Sequence, residues 1–266
     1  MRINEETAVV GPRVGLVPYR KEYVPQYHEW MSDQELREST ASEPLTLQEE
    51  YEMCERWAQD QDKLTFIIFA RKTCLPTTNI PKQPEKHDSD CDFLGDMIGD
   101  VNLFLSSDES SDSTSSCCVD THKGELEIMI ASTKHRHLGL ATEALQLFLS
   151  YIHLNSSQHA NSASTHFPVL LSFLFVKISF NNTTSQRLFE KLGFEKYSTS
   201  EVFGEHEYRL NFPDPTLSIA EMTDPKAEAT LNEIIPACRD HKSMHLYDSR
   251  WKDTHPIKIA IVPFPR

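Results

Sequence analysis

The chain turns on one stretch: Glu125-Leu-Glu-Ile-Met-Ile-Ala131, then Ser132-Thr-Lys-His-Arg-His-Leu-Gly-Leu-Ala141, then Thr142 to Ile152. Leu126, Ile128 and Ile130 alternate with Glu125, Glu127, Met129 and Ala131, the period of a strand with two unlike faces. Leu140, Ala144, Leu147 and Tyr151 then recur at the spacing of one helix face. Between strand and helix lies a cationic turn with no acidic residue from Ser132 to Thr142. Such a turn builds an anion site. The first amides of a helix have no partner inside it, and the helix dipole favours negative charge at that end. Gly139 lacks a Cβ, so a phosphate can approach the backbone closely, and Ala141 is small for the same reason. Arg136 and Lys134 add charge of their own. A diphosphate is the ligand this pattern predicts; the plainer reading is a strand, a turn and a helix with a Gly in the turn.

Composition narrows the function classes. Hydrophobic content of 39% and charged content of 25% fit a soluble protein with a core. No apolar run approaches the roughly 20 residues needed to span a bilayer, so no membrane role is expected. The start, Met1-Arg-Ile-Asn-Glu-Glu6, is polar and acidic, unlike a signal peptide. Cys54, Cys74, Cys91, Cys117, Cys118 and Cys238 show no metal-type spacing and no disulfide framework, which predicts reduced thiols and a cytoplasmic chain. His135 and His137 flank Arg136 without a third ligand nearby, so no metal is expected. A formal charge of −14 argues against nucleic acid as a partner and suits a cationic acceptor, or solubility alone.

The remaining elements fall on both sides of the central unit. Val14–Tyr19 reads as a strand, and Tyr23, Tyr27 and Trp30 mark a short helix. Ser32–Pro44 is polar loop. Thr46-Leu-Gln-Glu49 is a capping box opening a helix with Leu47, Tyr51, Cys54 and Trp57 on one side. Leu64–Ala70 and Met97–Leu105 read as strands, separated by a loop at 73–95. The Ser- and Asp-rich segment 106–120 cannot bury enough apolar surface to order itself and reads as a disordered insertion. After a loop at 155–168 come a strongly apolar strand, Val169–Phe180, and a helix capped by Asn181 or Asn182. Strands at Phe194–Tyr197 and Val202–Asn211 complete an α/β (α+β) domain over 1–211, a mixed sheet of about seven strands with about four helices. Residues 212–266 read as a loosely ordered extension, with a helix near Ala227–Ile235 and a strand at Ile257–Val262.

The order Arg136-x-x-Gly139-x-Ala141 between strand and helix resembles the acyl-CoA loop of the GNAT acetyltransferases. Asn182-Thr-Thr-Ser185 with Leu192-Gly193-Phe194-Glu195 matches a second motif of that superfamily in the right order. Tyr27-His-Glu-Trp-Met31, Thr40-Ala-Ser-Glu-Pro-Leu-Thr-Leu47, Gly99-Asp-Val-Asn-Leu-Phe-Leu105 and Gly124-Glu-Leu-Glu-Ile-Met-Ile-Ala131 look like the N-acetyltransferase 9 family, over residues 1–211. The resemblance implies the GNAT fold, acetyl-CoA as co-substrate, and acetylation of a protein N-terminus, with tubulin or microtubules the implied partner. It places the diphosphate against Arg136, His137, Leu138, Gly139, Leu140, Ala141 and Thr142, and pantetheine along the backbone of Met129, Ile130 and Ala131. Other acceptors it leaves open are a ribosomal-protein N-terminus, a lysine or a small amine; a non-catalytic CoA-binding protein is the reading from another class.

Acetyl transfer to an amine needs a held thioester and a proton acceptor. Glu125 and Glu127 lie on one side of the strand and are both candidate bases; an exposed strand face is the plainer reading of each. Asn182 and Ser185 are candidates for bonding the cofactor or a bridging water, or simply cap their helix. Many GNAT enzymes carry a Tyr general acid seven residues after this Asn. Here that position is Phe189, leaving Tyr197, Tyr208 or water to protonate the thiolate. The acidic segment Asp33–Glu43 is expected to border the acceptor channel and attract a basic peptide N-terminus, or to be solvated loop.

Overall fold

The structure is a computed structural model and describes residues 3–72, 94–107, 121–155, 170–211, 217–220, 242–248 and 257–263. In chain order the elements are β1 (Thr7–Val10), β2 (Val14–Pro18), α1 (Val24–Met31), α2 (Gln34–Ser39), α3 (Leu47–Gln59), β3 (Lys63–Arg71) and β4 (Leu94–Ser107). They continue as β5 (Thr121–Ile130), α4 (Leu140–Asn155), β6 (Leu170–Ser179), α5 (Thr183–Lys191), β7 (Glu195–Ser200), β8 (Glu205–Asn211), β9 (Leu217–Ala220), β10 (Lys242–Asp248) and β11 (Ile257–Pro263). The strands form one sheet in the order β7-β8-β6-β5-β4-β3-β2-β1-β11-β10-β9. All neighbours are antiparallel except β5 and β6.

Strands β2 to β5 are buried on both faces of the sheet. Leu64, Phe66, Leu103, Val101 and Leu126 pack one face against Ala144, Leu145, Leu147 and Phe148 of α4, Phe189 of α5 and the Leu192 that caps it. Ile67, Phe69, Met97 and Met129 pack the other against Tyr27 and Met31 of α1 and Cys54 of α3. α3 opens with the expected capping box: the Thr46 backbone N–H donates to Glu49, and Glu49 N–H donates back to the Thr46 hydroxyl. Gly99 permits the close approach of β4 to β5, since a Cβ there would lie 1.9 Å from the Met129 carbonyl oxygen.

Four expectations need correction. The polar segment after α1 contains the short helix α2, because Asp33 accepts from the N–H groups of Glu35 and Leu36 and so caps a first turn. The strand expected from Val202 starts at Glu205, and 201–204 form its turn. A strand precedes the first one foreseen: β1, four residues long, pairs with β2 and β11. The extension supplies three strands rather than one, β11 at the foreseen place and β9 and β10 beyond it. The insertion at 108–120, the rest of the loops at 73–93 and 156–169, and the helix expected at Ala227–Ile235 lie outside the described residues.

Candidate active site

Parallel strands β5 and β6 pair only from Thr121↔Leu170 to Glu125↔Phe175. Beyond that point β6 stays paired to β8 as far as Ser179↔Glu205, and β5 to β4 as far as Gly99↔Ile130. Leu126 to Ile130 therefore has a strand on one side only, and the sheet opens into a gap toward the carboxyl ends of both strands. Unpaired strand backbone beside such a gap can hold an extended ligand as an added strand would. Both strands deliver helix N-termini at this same end, α4 after β5 and α5 after β6. Ligands of open α/β sheets bind at such a place.

The loop from β5 to α4 is shaped by a residue that sequence reasoning did not single out. Arg13, in the β1–β2 turn, donates from Nη1 to the Leu138 carbonyl at 2.8 Å and from Nη2 to the Gly139 carbonyl at 3.3 Å. Its Nε donates to Glu143 Oε2 at 2.8 Å. Glu143 is buried in the first turn of α4, and its Oε1 accepts from the backbone N–H of Arg13 and Val14. In a trans peptide the C=O and N–H point in opposite directions. Carbonyls 138 and 139 held on Arg13 therefore turn the N–H groups of Gly139 and Leu140 away from it, beside the free amides of Ala141 and Thr142. Positive φ at His137 (60°) and Gly139 (75°) closes the turn. A Cβ on Gly139 would meet only the Arg13 guanidinium, at 3.5 Å, so the loop is open to a ligand rather than filled by packing. Donors without acceptors, a nearby guanidinium and unfilled space fit a diphosphate.

The other cations of the loop sit elsewhere. Arg136 folds back, donating to the carbonyls of Ile130 (2.8 Å) and Ala131 (3.3 Å), and braces the end of β5. Lys134 pairs with Asp96 at 2.6 Å. His135 bonds the Ser132 hydroxyl through Nδ1 and has Nε2 3.8 Å from Asp96. Asp96 comes from β4, so the run that looks acid-free in sequence is partly neutralised in space. Asn182 caps α5, its side chain accepting from Ser185 N–H at 3.1 Å, across the gap from the β5 loop.

The two glutamates have different surroundings. Both lie on the α1–α3 face of β5, two residues apart. Glu125 is ion-paired to Lys177 of β6 at 3.0 Å. Glu127 has no such partner. Its side chain counts as exposed, yet protein crowds it on the sheet side. Loss of solvent, then Glu125, then Asp100 raise its pKa to about 7, against a smaller lowering by Lys177. Opposite Glu127 on β4 stands Asn102, and next to it the buried Asp100, whose pKa burial lifts to about 6 against hydrogen bonds from Asn102 and Tyr27 that lower it. The Tyr208 hydroxyl donates to Glu190 of α5 on the opposite face at 3.5 Å, and the Tyr197 ring lies under the Arg209 guanidinium at 3.4 Å. Phe189 is buried edge-on against Phe194. Among the described residues no group of three or more His, Cys, Asp or Glu is arranged to hold a metal ion.

Comparison with known proteins agrees with this geometry. The family model of the "Acetyltransferase (GNAT) domain" matches residues 13–195, so the gapped sheet and its helix-start loop are those of a GNAT acetyltransferase, which takes acetyl from acetyl-CoA. "Alpha/beta-tubulin-N-acetyltransferase 9" of Mus musculus is 40% identical over 81% of this chain and 75% of its own length. The Homo sapiens protein of the same name is 41% identical over 79% and 86%. The "N-acetyltransferase 9-like protein" of Nematostella vectensis is 38% identical over 85% and 98%. The chain belongs to the N-acetyltransferase 9 family.

Proposed function

We propose that the acceptor is the N-terminal amine of a protein, of tubulin in particular, that Glu127 is the base, and that the enzyme works in the cytoplasm. The single observation that carries the chemistry is Glu127, a carboxylate lifted to about 7 beside the gap in the sheet. A reacting amine must be neutral, and an α-amino group near pKa 8 is mostly protonated at neutral pH. Glu127 takes that proton; Glu125, paired to Lys177, helps to raise the Glu127 pKa. Acetyl-CoA supplies an acetyl thioester, whose thiolate leaves readily because thiol pKa values lie near 8.5. That removes the need for a strong general acid and makes Phe189 compatible with turnover. Backbone of Met129–Ala131 positions the donor, and the amides of Gly139–Thr142 hold its diphosphate.

The choice of tubulin rests on the names of the mouse and human relatives. An apolar flank for an acceptor peptide exists at the β7–β8 turn, where Val202 and Phe203 are 89% and 78% exposed beside the end of β6. The test is CoA release, with mass-spectrometric mapping of the product, on N-terminal peptides of α- and β-tubulin, an N-terminal ribosomal-protein peptide, a lysine-containing blocked peptide and spermidine. Fastest acetylation of a tubulin α-amine is expected. A preference for lysine or spermidine would refute the N-terminal reading.

A further inference from the structure

A line of polar side chains crosses the α1–α3 face of the sheet. Thr65, Asn102 and Glu127 stand in register on β3, β4 and β5, one row of polar side chains across three strands. Asn102 donates to Asp100 at 2.7 Å, and the Tyr27 hydroxyl of α1 donates to the same Asp100 oxygen at 3.4 Å. The Tyr27 and Tyr19 rings touch, with centroids 5.2 Å apart. Glu50 of α3 lies within electrostatic reach of both tyrosines and 3.7 Å from His28 Nδ1. Glu50 is buried, whereas the His28 side chain is 30% exposed, so the line starts at the active site and ends at solvent between α1 and α3.

The same line holds an unusual share of unpaired buried atoms: the Tyr19 hydroxyl, Glu50 Oε2, Thr65 Oγ1 and Asn102 Oδ1 have no hydrogen-bond partner, and the His28 contact is too long to be one. Buried polar atoms are almost always paired, with protein or with ordered water. A fold that keeps several unpaired ones in a row, where leucines would pack, calls for bridging water and a reason to admit it. The reaction provides one. An ammonium and a thioester give an amide, a thiol and one proton: the N–C bond forms, the C–S bond breaks, one of the two protons lost by nitrogen goes to sulfur, and the other must leave. Glu127, once protonated, faces a cleft closed by both substrates.

We infer that Asn102, Asp100, Tyr27, Tyr19, Glu50 and His28 form a water-bridged track that carries this proton from Glu127 to the surface between α1 and α3. The inference rests on Glu127 being the base. Asp100 and Glu50 are the relay carboxylates, facing Glu127, Tyr27, Tyr19 and His28 from the neighbouring elements, and burial raises the pKa of both. The tyrosines and Asn102 orient the bridging water.

The test measures turnover of the full chain in dilute buffer, with the acceptor of highest turnover in the comparison above, for Glu50→Gln, Tyr19→Phe and Glu127→Gln. Each relay variant should turn over about tenfold slower with KM for acetyl-CoA unchanged, and added imidazole should restore the rate by accepting the proton directly. Wild-type turnover should not respond to imidazole. Tyr19→Phe keeps the ring and removes only an unpaired hydroxyl, so a merely structural role predicts no loss. Wild-type rates for both relay variants with a slow Glu127→Gln overturn the track and leave the base in place, as does a loss that imidazole does not restore. A wild-type rate for Glu127→Gln overturns the base assignment itself.

Discussion

Two carboxylates two positions apart on β5 have been given different work by their neighbours. Lys177 is ion-paired with Glu125, while loss of solvent and the repulsion of Glu125 and Asp100 raise the Glu127 pKa to about 7. The activity of the wild type should rise with pH through about 7, because the base must be deprotonated to act. Glu125→Gln removes a repulsion that raises the Glu127 pKa and should move this limb to lower pH. Lys177→Gln removes the one influence that lowers it and should move the limb up. Glu127→Gln should cost about a hundredfold or more in kcat with acetyl-CoA affinity intact. Asp100 makes a separate prediction about stability. Its folded pKa of about 6 exceeds the value of an unfolded aspartate, so the folded chain holds that proton more tightly. Its contribution to stability is therefore largest at low pH, declines by about 3 kcal/mol as pH rises from about 4 to about 6, and stays level above. Urea midpoints of Asp100→Asn should lack that decline.

The loop between β5 and α4 shows what a sequence does and does not display about an element. Its existence was legible, because alternation gives way to helical spacing through a Gly, and both periods are properties of adjacent residues. Gly139 stood out in sequence as the residue whose missing Cβ lets a phosphate approach, and its φ of 75° gives a second reason for glycine there. Its shape was not, because that comes from Arg13, more than a hundred residues earlier, and from Glu143, which a sequence shows only as one acid in a helix. The partner that neutralises Lys134 likewise comes from β4. Charges counted along a run overstate what is free once the sheet brings strands together. Arg13→Ala should release the two carbonyls and leave the Glu143 carboxylate without its ion pair in a buried first turn. Titration calorimetry should then show weaker acetyl-CoA binding by about tenfold or more, with a lowered melting temperature. Arg136→Ala, which loses bonds at the end of β5 rather than in the loop, should weaken binding less.

For the whole molecule, the order of strands and helices from β2 to β8, apart from the short α2, followed from periodicity, capping residues and turn residues, each of them local. The missed strands join distant parts of the chain. β1 is too short to announce itself and is held by β2 on one side and β11 on the other. In β9 and β10 the alternation, Leu217 with Ile219 and Met244 with Leu246, is too brief to mark a strand by itself, so their pairing partners define them. Every group placed at the active site lies between Arg13 and Phe203. We propose that residues 1–211 are sufficient for activity and that the extension covers the β1 edge. A chain ending at Asn211 should keep kcat within about twofold but unfold at lower temperature and associate at high concentration, because an uncovered edge strand presents unpaired backbone groups. Loss of acetyl-CoA binding on that truncation would show instead that the extension belongs to the site.

The account stands on the loop at Gly139 holding the diphosphate of the donor beside the opened sheet. Titration calorimetry of a non-hydrolysable acetyl-CoA analogue into the wild type and into Gly139→Asp tests this most directly. The substitution adds a side chain where φ is +75° and a negative charge where the diphosphate would lie. Saturable binding by the wild type, lost in the folded variant, is the predicted result; equal binding by the two would contradict it.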